Sequence, residues 1–512
     1  LQRDIIKGED SRYSVEIALV TEGTYPFHLG GVAVWCDQLM RGLPQHSFRT
    51  IAIGGDGMEN VIWDAPPNMT DLETLFLWGQ KPARKHASAA LETRFEEAHA
   101  RFAHALMRPN SAVQDFLEAL RGLHAYALEA DLETAMTSNA ALERLGLAWR
   151  EAQHERRRAT IRPRDAHVEI NLAEVLAASR LIAHLLRPLS MPAPQVQVVH
   201  AVSNGLAVLP AFTAKWAFGT PFVLTEHGVY LRERYLSYTA ATYPYAVRAL
   251  ALNFYRLLSS AAYSIADRIV PGSLSNQRWE LRGGADTSRI RTVYNGIDPS
   301  DFSETKLEPP EPTISWLGRI DPLKDLETLI RAFALVRMEL PTARLRLFGP
   351  VPAGNEAYLE RCEALIEELR LEGSAHFEGR VEFSLLAYHS GHVFVMTSIS
   401  EGFPYSLIEA MACGCAVVAT DVGGVGEAIG EAGLTVPPRD HAAVAQACLA
   451  LLRDDVLRKK LGGAGRIRVQ QQFTLDKCLS AYREIYDQAL NVKPWTPEVG
   501  VGRVRPTALR VG

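Results

Sequence analysis

Apolar positions along this chain fall into two alternating series of short strands and amphipathic helices, with a long helical stretch inside the first. The run at 15–20 is almost continuously apolar, as a strand buried on both faces requires. The glycine-bearing segment Thr21-Glu-Gly-Thr-Tyr-Pro-Phe-His-Leu-Gly-Gly31 follows, and 32–43 then places apolar residues at helical spacing. A second apolar run, 48–53, stops at Gly54-Gly55. Strand, glycine loop, helix and strand in that order open a doubly wound parallel sheet. From 66 to 188 Ala, Leu, Glu, Arg and His dominate and glycine is scarce, with the clearest helices at 92–106 and 166–186. This stretch is predicted to be a helical insertion. Short apolar runs at 196–200, 221–225, 269–270 and 290–294 predict the remaining strands of the first sheet.

Residues 299–312, rich in Asp, Glu and Pro, read as a linker. The second series starts at 313–317 and turns at Gly318-Arg-Ile-Asp-Pro-Leu-Lys324. Later strands are predicted at 345–348, 376–377, 393–396, 416–419 and 433–436, and helices at 325–338, 356–369, 442–452 and 455–471. A final amphipathic helix at 474–490 precedes a tail with no clear pattern. The expected division is therefore 1–298, with the insertion at about 66–188, then 299–473, then a helix and tail at 474–512 that return to the first domain. Two α/β halves joined near residue 300 imply a cleft between them, where ligands commonly bind.

Composition narrows the class. At 512 residues the chain is too long for one hydrophobic core. Its 47% hydrophobic and 22% charged residues are those of an ordinary soluble protein. A net charge of -5 argues against a nucleic-acid partner, which calls for a basic field. The six cysteines include no C-x2-C pair, so buried free thiols in a reducing compartment are expected rather than a metal site. No secretory h-region or membrane-length apolar run is seen, so a cytoplasmic location is expected.

The candidate chemistry lies at loops that follow strands. Glu401-Gly-Phe-Pro-Tyr-Ser-Leu-Ile-Glu409 puts one carboxylate in a loop and a second inside the next helix. Two acceptors held apart on such a frame can grip a polyhydroxylated ligand at two places, although a helix-start acid and a solvated acid are the plainer alternative. Gly318-Arg319 and Lys324 set a planar fork and a point charge near a helix start, suited to a diphosphate that gains charge as it leaves. Cations are not favoured there unless an anion is present. Gly30 and Gly31 allow close backbone approach at another helix start, without the G-x-G-x-x-G fingerprint. His227, between Glu226 and Gly228, can donate to a sugar hydroxyl or share developing charge, and His28 is a weaker counterpart. Glycines in Asp421-Val-Gly-Gly-Val-Gly-Glu427 offer further backbone amides to the cleft. No histidine cluster has zinc spacing, and no metal or other cofactor is expected.

On these motifs the chain resembles the retaining glycosyltransferases of family 4, which have the GT-B fold: two Rossmann-like domains facing across a cleft. The pieces occur in family order: Asn295-Gly-Ile-Asp298, Gly318-Arg319, Lys324, Glu401-Gly-Phe-Pro404, Glu409-Ala-Met-Ala-Cys-Gly414 and Gly423-Gly424. Thr21-Glu-Gly-Thr-Tyr-Pro-Phe, Gly30-Gly31-Val, the insertion and Thr225-Glu-His-Gly-Val-Tyr-Leu-Arg-Glu-Arg234 are more particularly similar to the glycosyltransferases of Pel exopolysaccharide synthesis. The resemblance implies an N-terminal acceptor domain, a C-terminal nucleotide-sugar domain and a UDP-sugar donor, UDP-glucose first and UDP-N-acetylglucosamine second. Glu401 would contact the donor sugar, Glu409 the ribose, Arg319 and Lys324 the diphosphate, and Gly31 would admit the phosphates and sugar. His227 matches a histidine near the transferred sugar. Gly30, Gly318, Gly402, Phe403, Pro404, Tyr405 and Ser406 would complete the donor surround. The family pattern has glycine where Pro404 stands, so one backbone donor is lost. A polysaccharide acceptor and docking on an inner-membrane synthase complex are further implications. An epimerase on the same fold and a non-catalytic nucleotide-sensing subunit stay open as alternatives.

Overall fold

The computed structural model describes residues 14–79, 87–159, 170–239, 242–302, 308–381 and 383–491. Two six-stranded, all-parallel sheets form the frame. The first holds β1 (Glu16–Glu22), β2 (Ser47–Gly54), β3 (Met69–Phe76), β4 (Val198–Ala201), β5 (Phe222–Glu226) and β6 (Arg268–Pro271), in the order β3-β2-β1-β4-β5-β6. The second holds β7 (Thr313–Leu317), β8 (Arg344–Phe348), β9 (Ala375–Gly379), β10 (Val393–Met396), β11 (Ala416–Thr420) and β12 (Leu434–Val436), in the order β12-β11-β10-β7-β8-β9. Central strands β4, β5, β10 and β11 are buried along their whole length, which their near-continuous apolar runs require.

Strand order reverses between β1 and β4 in the first sheet and between β7 and β10 in the second. Such switch points open a crevice at the carboxyl ends of the strands, because the following loops diverge to opposite faces. The loops leaving β7 and β10 are those that carry Arg319, Lys324 and Glu401.

The pattern expected from the sequence differs from the structure at three places. Residues 69–76 are not helical but form β3, the edge of the first sheet, paired with β2. Polar residues on both faces of this strand hide its alternation. The helices of the insertion begin only at Ala89 and pack Phe95, Phe102 and Phe116 with Phe254 of the Tyr245–Ile265 helix into the largest core cluster. The helix expected at 166–186 runs from Leu172 to Leu185, started by an Asn171–Glu174 capping box; the residues before 170 lie outside those described. Residues 290–294 are extended rather than a strand of the sheet. Arg291 and Val293 donate to carbonyls of β6, but β6 is only four residues long and only Ile290 forms a bridge.

All six cysteines are buried, and none is paired in a disulfide. Among the described residues no helix is long and apolar enough to cross a membrane. The last described helix, Leu475–Leu490, leaves the second domain beside Ile297 and docks on the first. Gly42 makes room for Leu479, since a Cβ at Gly42 would overlap the Leu479 methyl groups. The Tyr486 hydroxyl lies 2.8 Å from His200 Nδ1, and the Tyr482 hydroxyl 3.0 Å from Thr225 Oγ1. Ile485 is fully buried in the same cluster. Truncation by Ile485→Ala removes buried methylenes without touching those hydrogen bonds, and should destabilise the first domain by ~2–5 kcal/mol in urea unfolding. A change below ~0.5 kcal/mol would contradict this docking.

Candidate active site

The second domain brings its predicted residues together at the β7/β10 switch point. After β7 the chain turns through Gly318, whose N–H donates to Phe348, and Gly349 packs so closely that a Cβ there would overlap the Gly318 carbonyl. Asp321 accepts from Leu323 N–H, and Asp325, in the left-handed region, caps the Leu326–Glu339 helix. Lys324 is held between these two caps. Thr397, after β10, donates to the carbonyls of Lys324 and Asp325. The Lys324 ammonium then meets Glu401 at 2.6 Å, which offsets the cost of a cation beside a helix start. Arg319 is exposed, and its charge reaches Glu233 of the first domain.

Glu401 and Gly402 lead through Phe403 and Pro404 into the Tyr405–Ala412 helix. Pro404 is its N-cap and supplies no side-chain acceptor, so the first N–H groups of this helix have no side-chain cap. Ser406 lies in that first turn. One turn further, Glu409 is half-buried and accepts from the Tyr388 hydroxyl at 2.5 Å. Burial raises its carboxyl pKa and the Tyr388 bond pulls it back. The Phe403 ring turns away from the cleft into a cluster with Tyr294 and Phe473.

The first domain supplies Gly30, Gly31 and His227. Gly30 and Gly31 start the Gly31–Gly42 helix. A Cβ on Gly31 would lie 3.2 Å from the Tyr405 ring, whose hydroxyl donates to Gln38 at 3.0 Å. His227 follows β5 and stacks edgewise on Trp35, with centroids 4.5 Å apart. Its Nε2 is buried and has no hydrogen-bond partner among the described residues. Burial lowers its pKa to about 4, against a smaller upward pull from a hydrogen bond to Asn295. Behind this loop Glu226 accepts from Tyr263 at 2.6 Å and from Tyr230 N–H at 3.0 Å. Burial pushes the carboxyls of Glu226 and neighbouring Glu280 upward.

Backbone contact joins the two halves. A Cβ on Gly402 would overlap the His227 carbonyl, and one on Gly423 would overlap the Glu401 carbonyl. Gly424 N–H donates to Gly402 at 2.8 Å. The loops of His227, Glu401 and Gly423 are thus stacked backbone on backbone. Polar bonds lock the stack. Asn295 donates to the Phe403 carbonyl at 2.8 Å, and Asn276 donates to the carbonyls of Glu226 and His227. Glu427 reaches across to accept from Leu274 and Ser275 N–H at 2.7 and 2.8 Å, capping a helix of the other domain. Glu427 is therefore an interdomain clasp. Across the cleft, Glu233 lies in the combined field of Arg232, Arg234, Arg319 and Glu401.

Sequence reasoning did not single out Tyr388, Trp35 or Asn276, and it used Asn295 and Glu427 only as parts of motifs. Each acts through a partner distant in sequence. His28 lies instead in an open depression of the first domain, beside Gly55, Asp56, Met58, Glu59 and Trp78. Among the described residues no group of three His, Cys, Asp or Glu side chains is arranged to hold a metal ion.

Residues 15–288 match the family described as "Domain of unknown function (DUF3492)", and residues 311–454 match "Glycosyl transferases group 1". The D-inositol 3-phosphate glycosyltransferase of Streptomyces bingchenggensis is 32% identical over 244 residues, covering 44% of this chain and 53% of that protein. The N-acetyl-alpha-D-glucosaminyl L-malate synthase of Bacillus anthracis is 30% identical over 234 residues, covering 43% and 59%. The chain thus spans little more than half the length of these curated relatives. The sucrose-phosphate synthase of Thermosynechococcus elongatus shares the fold with a TM-score of 0.59 at 21% identity, over 93% of this chain and 99% of that one. HepE of Anabaena, solved in complex with UDP and glucose, does so at 0.58 and 15%, over 93% and 100%. The chain has the two-domain GT-B fold, belongs to the DUF3492 family and joins that domain to a glycosyl transferases group 1 domain.

Proposed function

We propose that the protein is a retaining glycosyltransferase that moves a hexose from a UDP-sugar to a growing exopolysaccharide of the Pel type. The observation that carries this reading is the Lys324–Glu401 pair, with Arg319 beside it and Glu409 one helix turn beyond, at the crevice where a doubly wound sheet binds nucleotides. A diphosphate would compete with Glu401 for the Lys324 ammonium, and sugar hydroxyls would compete with Lys324 for Glu401. Both charges would thereby stay compensated as donor enters. Glu409, oriented by Tyr388, suits the ribose hydroxyls. The N–H groups at the start of the Tyr405–Ala412 helix suit phosphate oxygens.

In the proposed reaction the bond from the anomeric carbon to the β-phosphate oxygen breaks and a bond to the acceptor oxygen forms on the same face. The acceptor proton passes to the departing phosphate oxygen, and UDP leaves. Charge grows on that phosphate, where Arg319, Lys324 and the helix amides stabilise it most. His227, neutral and with Nε2 unengaged, can hydrogen-bond a sugar hydroxyl. Glu401 holds the sugar and is not assigned as a nucleophile. No metal is assigned, because the two cations meet the leaving charge. UDP-glucose is the first candidate donor, supported by the fold shared with HepE, and UDP-N-acetylglucosamine the second. The Pel assignment rests on the resemblance to the glycosyltransferases of Pel exopolysaccharide synthesis and carries with it a cytoplasmic location beside an inner-membrane synthase complex.

Incubation with a panel of UDP-sugars and saccharide acceptors, followed by mass spectrometry, should show UDP release and an acceptor heavier by one or more hexose residues. Release of an epimerised donor with no acceptor product would refute the reading. Glu409→Ala should weaken UDP binding by ~1.5–3 kcal/mol in calorimetry, the worth of a hydrogen bond to a charged group, and unchanged affinity would reject the ribose role. The lowered pKa keeps His227 neutral above about 4 and charges it only below. Its 15N NMR signals should therefore show no titration between roughly pH 5.5 and 8, whereas a midpoint at the ordinary value near ~6.5 would contradict the buried, neutral imidazole.

A further inference from the structure

The helix Leu274–Arg282 of the first domain turns its polar side inward. Its buried residues are Asn276 and Glu280, whereas Leu274, Trp279 and Leu281 are 43%, 41% and 40% exposed. Residues four apart share a helix face, and the face that packs on a domain is ordinarily apolar. Burying polar groups costs free energy unless they are hydrogen-bonded, so a face built this way has something to hold.

Asn276 holds the loop after β5. Its Nδ2 donates to the carbonyls of Glu226 at 3.0 Å and His227 at 3.1 Å. One turn on, the Glu280 carboxyl is in hydrogen-bond contact with that of Glu226, and both residues are buried. Each Glu226 oxygen already has a donor: Tyr230 N–H for Oε1 and the Tyr263 hydroxyl for Oε2. The two Glu280 oxygens are buried and have no donor among the described residues. Burial keeps Tyr230, Tyr263 and His227 neutral, and Glu233 of the Tyr230–Thr239 helix faces Glu226 with more negative charge. Two carboxylates in such contact, away from water, cannot both ionise. One proton between them satisfies Glu280 and gives Glu226 a third donor. Burial, and then the repulsion between the two acids, holds that proton well above the usual carboxylate range.

The pair stands directly behind the seam between the domains. His227 follows Glu226 in the chain, and its carbonyl is the group on which Gly402 packs. The start of the same helix is capped by Glu427 of the second domain. One helix therefore meets the second domain at its start and the His227 loop at two points of its inner face. We infer that Glu226 and Glu280 share one proton, and that the hydrogen bond it makes between them positions His227. Glu280 is a positioning residue, since it acts through Glu226. The shared proton stands apart from any reaction; its effect on turnover rests on the transferase reading above. Because the fold raises the acid above its unfolded value, the bond is complete below that value and is lost as pH rises through the raised one.

The test compares the full chain as wild type, Glu280→Gln and Glu280→Met. Gln keeps the size and a donor that cannot ionise, and Met keeps the size without a donor. At neutral pH the infrared difference between wild type and Glu280→Gln should contain the C=O stretch of a protonated carboxyl. Its absence would overturn the shared proton and point to two ionised acids bridged by a cation. The His227 ring signals in NMR should stay in place in Glu280→Gln and shift in Glu280→Met; equal shifts in both, or none in either, would overturn the positioning. Turnover should fall about tenfold or more in Glu280→Met and no more than about threefold in Glu280→Gln, with UDP affinity unchanged in both. Where alkaline pH removes the infrared band, wild-type turnover should fall with it while that of Glu280→Gln holds, and identical profiles would reject the role. Should Glu280→Met not fold, Glu280→Gln decides alone, and a loss of about tenfold there would reject the positioning. If no form transfers sugar while the band and the ring shifts appear, the transferase reading fails and the proton pair stands.

Discussion

The contact of Gly402 with the His227 carbonyl is the constraint on which the rest of the site depends. It admits no side chain, so the loop that carries Glu401 and the loop that carries His227 are registered by their backbones. Side-chain contacts can be reached from many relative domain positions, because long side chains adapt. A backbone contact without a Cβ allows few. The Glu427 clasp and the Asn295 bond to Phe403 surround this point and hold it from both sides. Effective catalysis by positioning needs this kind of tolerance, since misplacement by about 1 Å can cost roughly two orders of magnitude in rate.

Around that seam, the two halves contribute different chemistry. The second domain supplies charge: Lys324 paired with Glu401, the exposed Arg319 and Glu409 held by Tyr388. The first supplies a neutral imidazole in a buried aromatic setting. Trp35 links this imidazole to the returning C-terminal helix, since its ring also packs on Tyr482 at 5.1 Å. The chain's last described helix therefore buttresses the histidine. Stability of that docking and order at His227 are linked through packed rings rather than through any bond to the ligand side.

What the sequence made legible follows from how local each signal is. The apolar runs of β1, β5, β10 and β11 are continuous because these strands are buried on both faces, so both halves of the fold were visible. Arg319, Lys324 and Glu401 could be chosen because each lies in the loop that leaves a strand, and Glu409 because it follows Glu401 into the next helix. The edge strand β3 was hidden because its side chains are polar on both faces. Glu427 was hidden for another reason: its partner Leu274 is 153 positions away, and nothing in Asp421–Glu427 distinguishes a clasp from a cleft-lining loop. Tyr388 and Asn276 belong with it, as their meaning exists only once distant loops meet.

The most direct test of the seam is Gly402→Ala, assayed for UDP affinity and for sugar transfer in the same preparation. In the proposed reading UDP binds within the second domain, so its affinity should stay within about threefold. Transfer needs both loops in register, and should fall by roughly 10²-fold or more as the new Cβ displaces His227 from Glu401. Transfer at the wild-type rate, with the variant folded and binding UDP, would contradict the account that this backbone contact sets the active geometry.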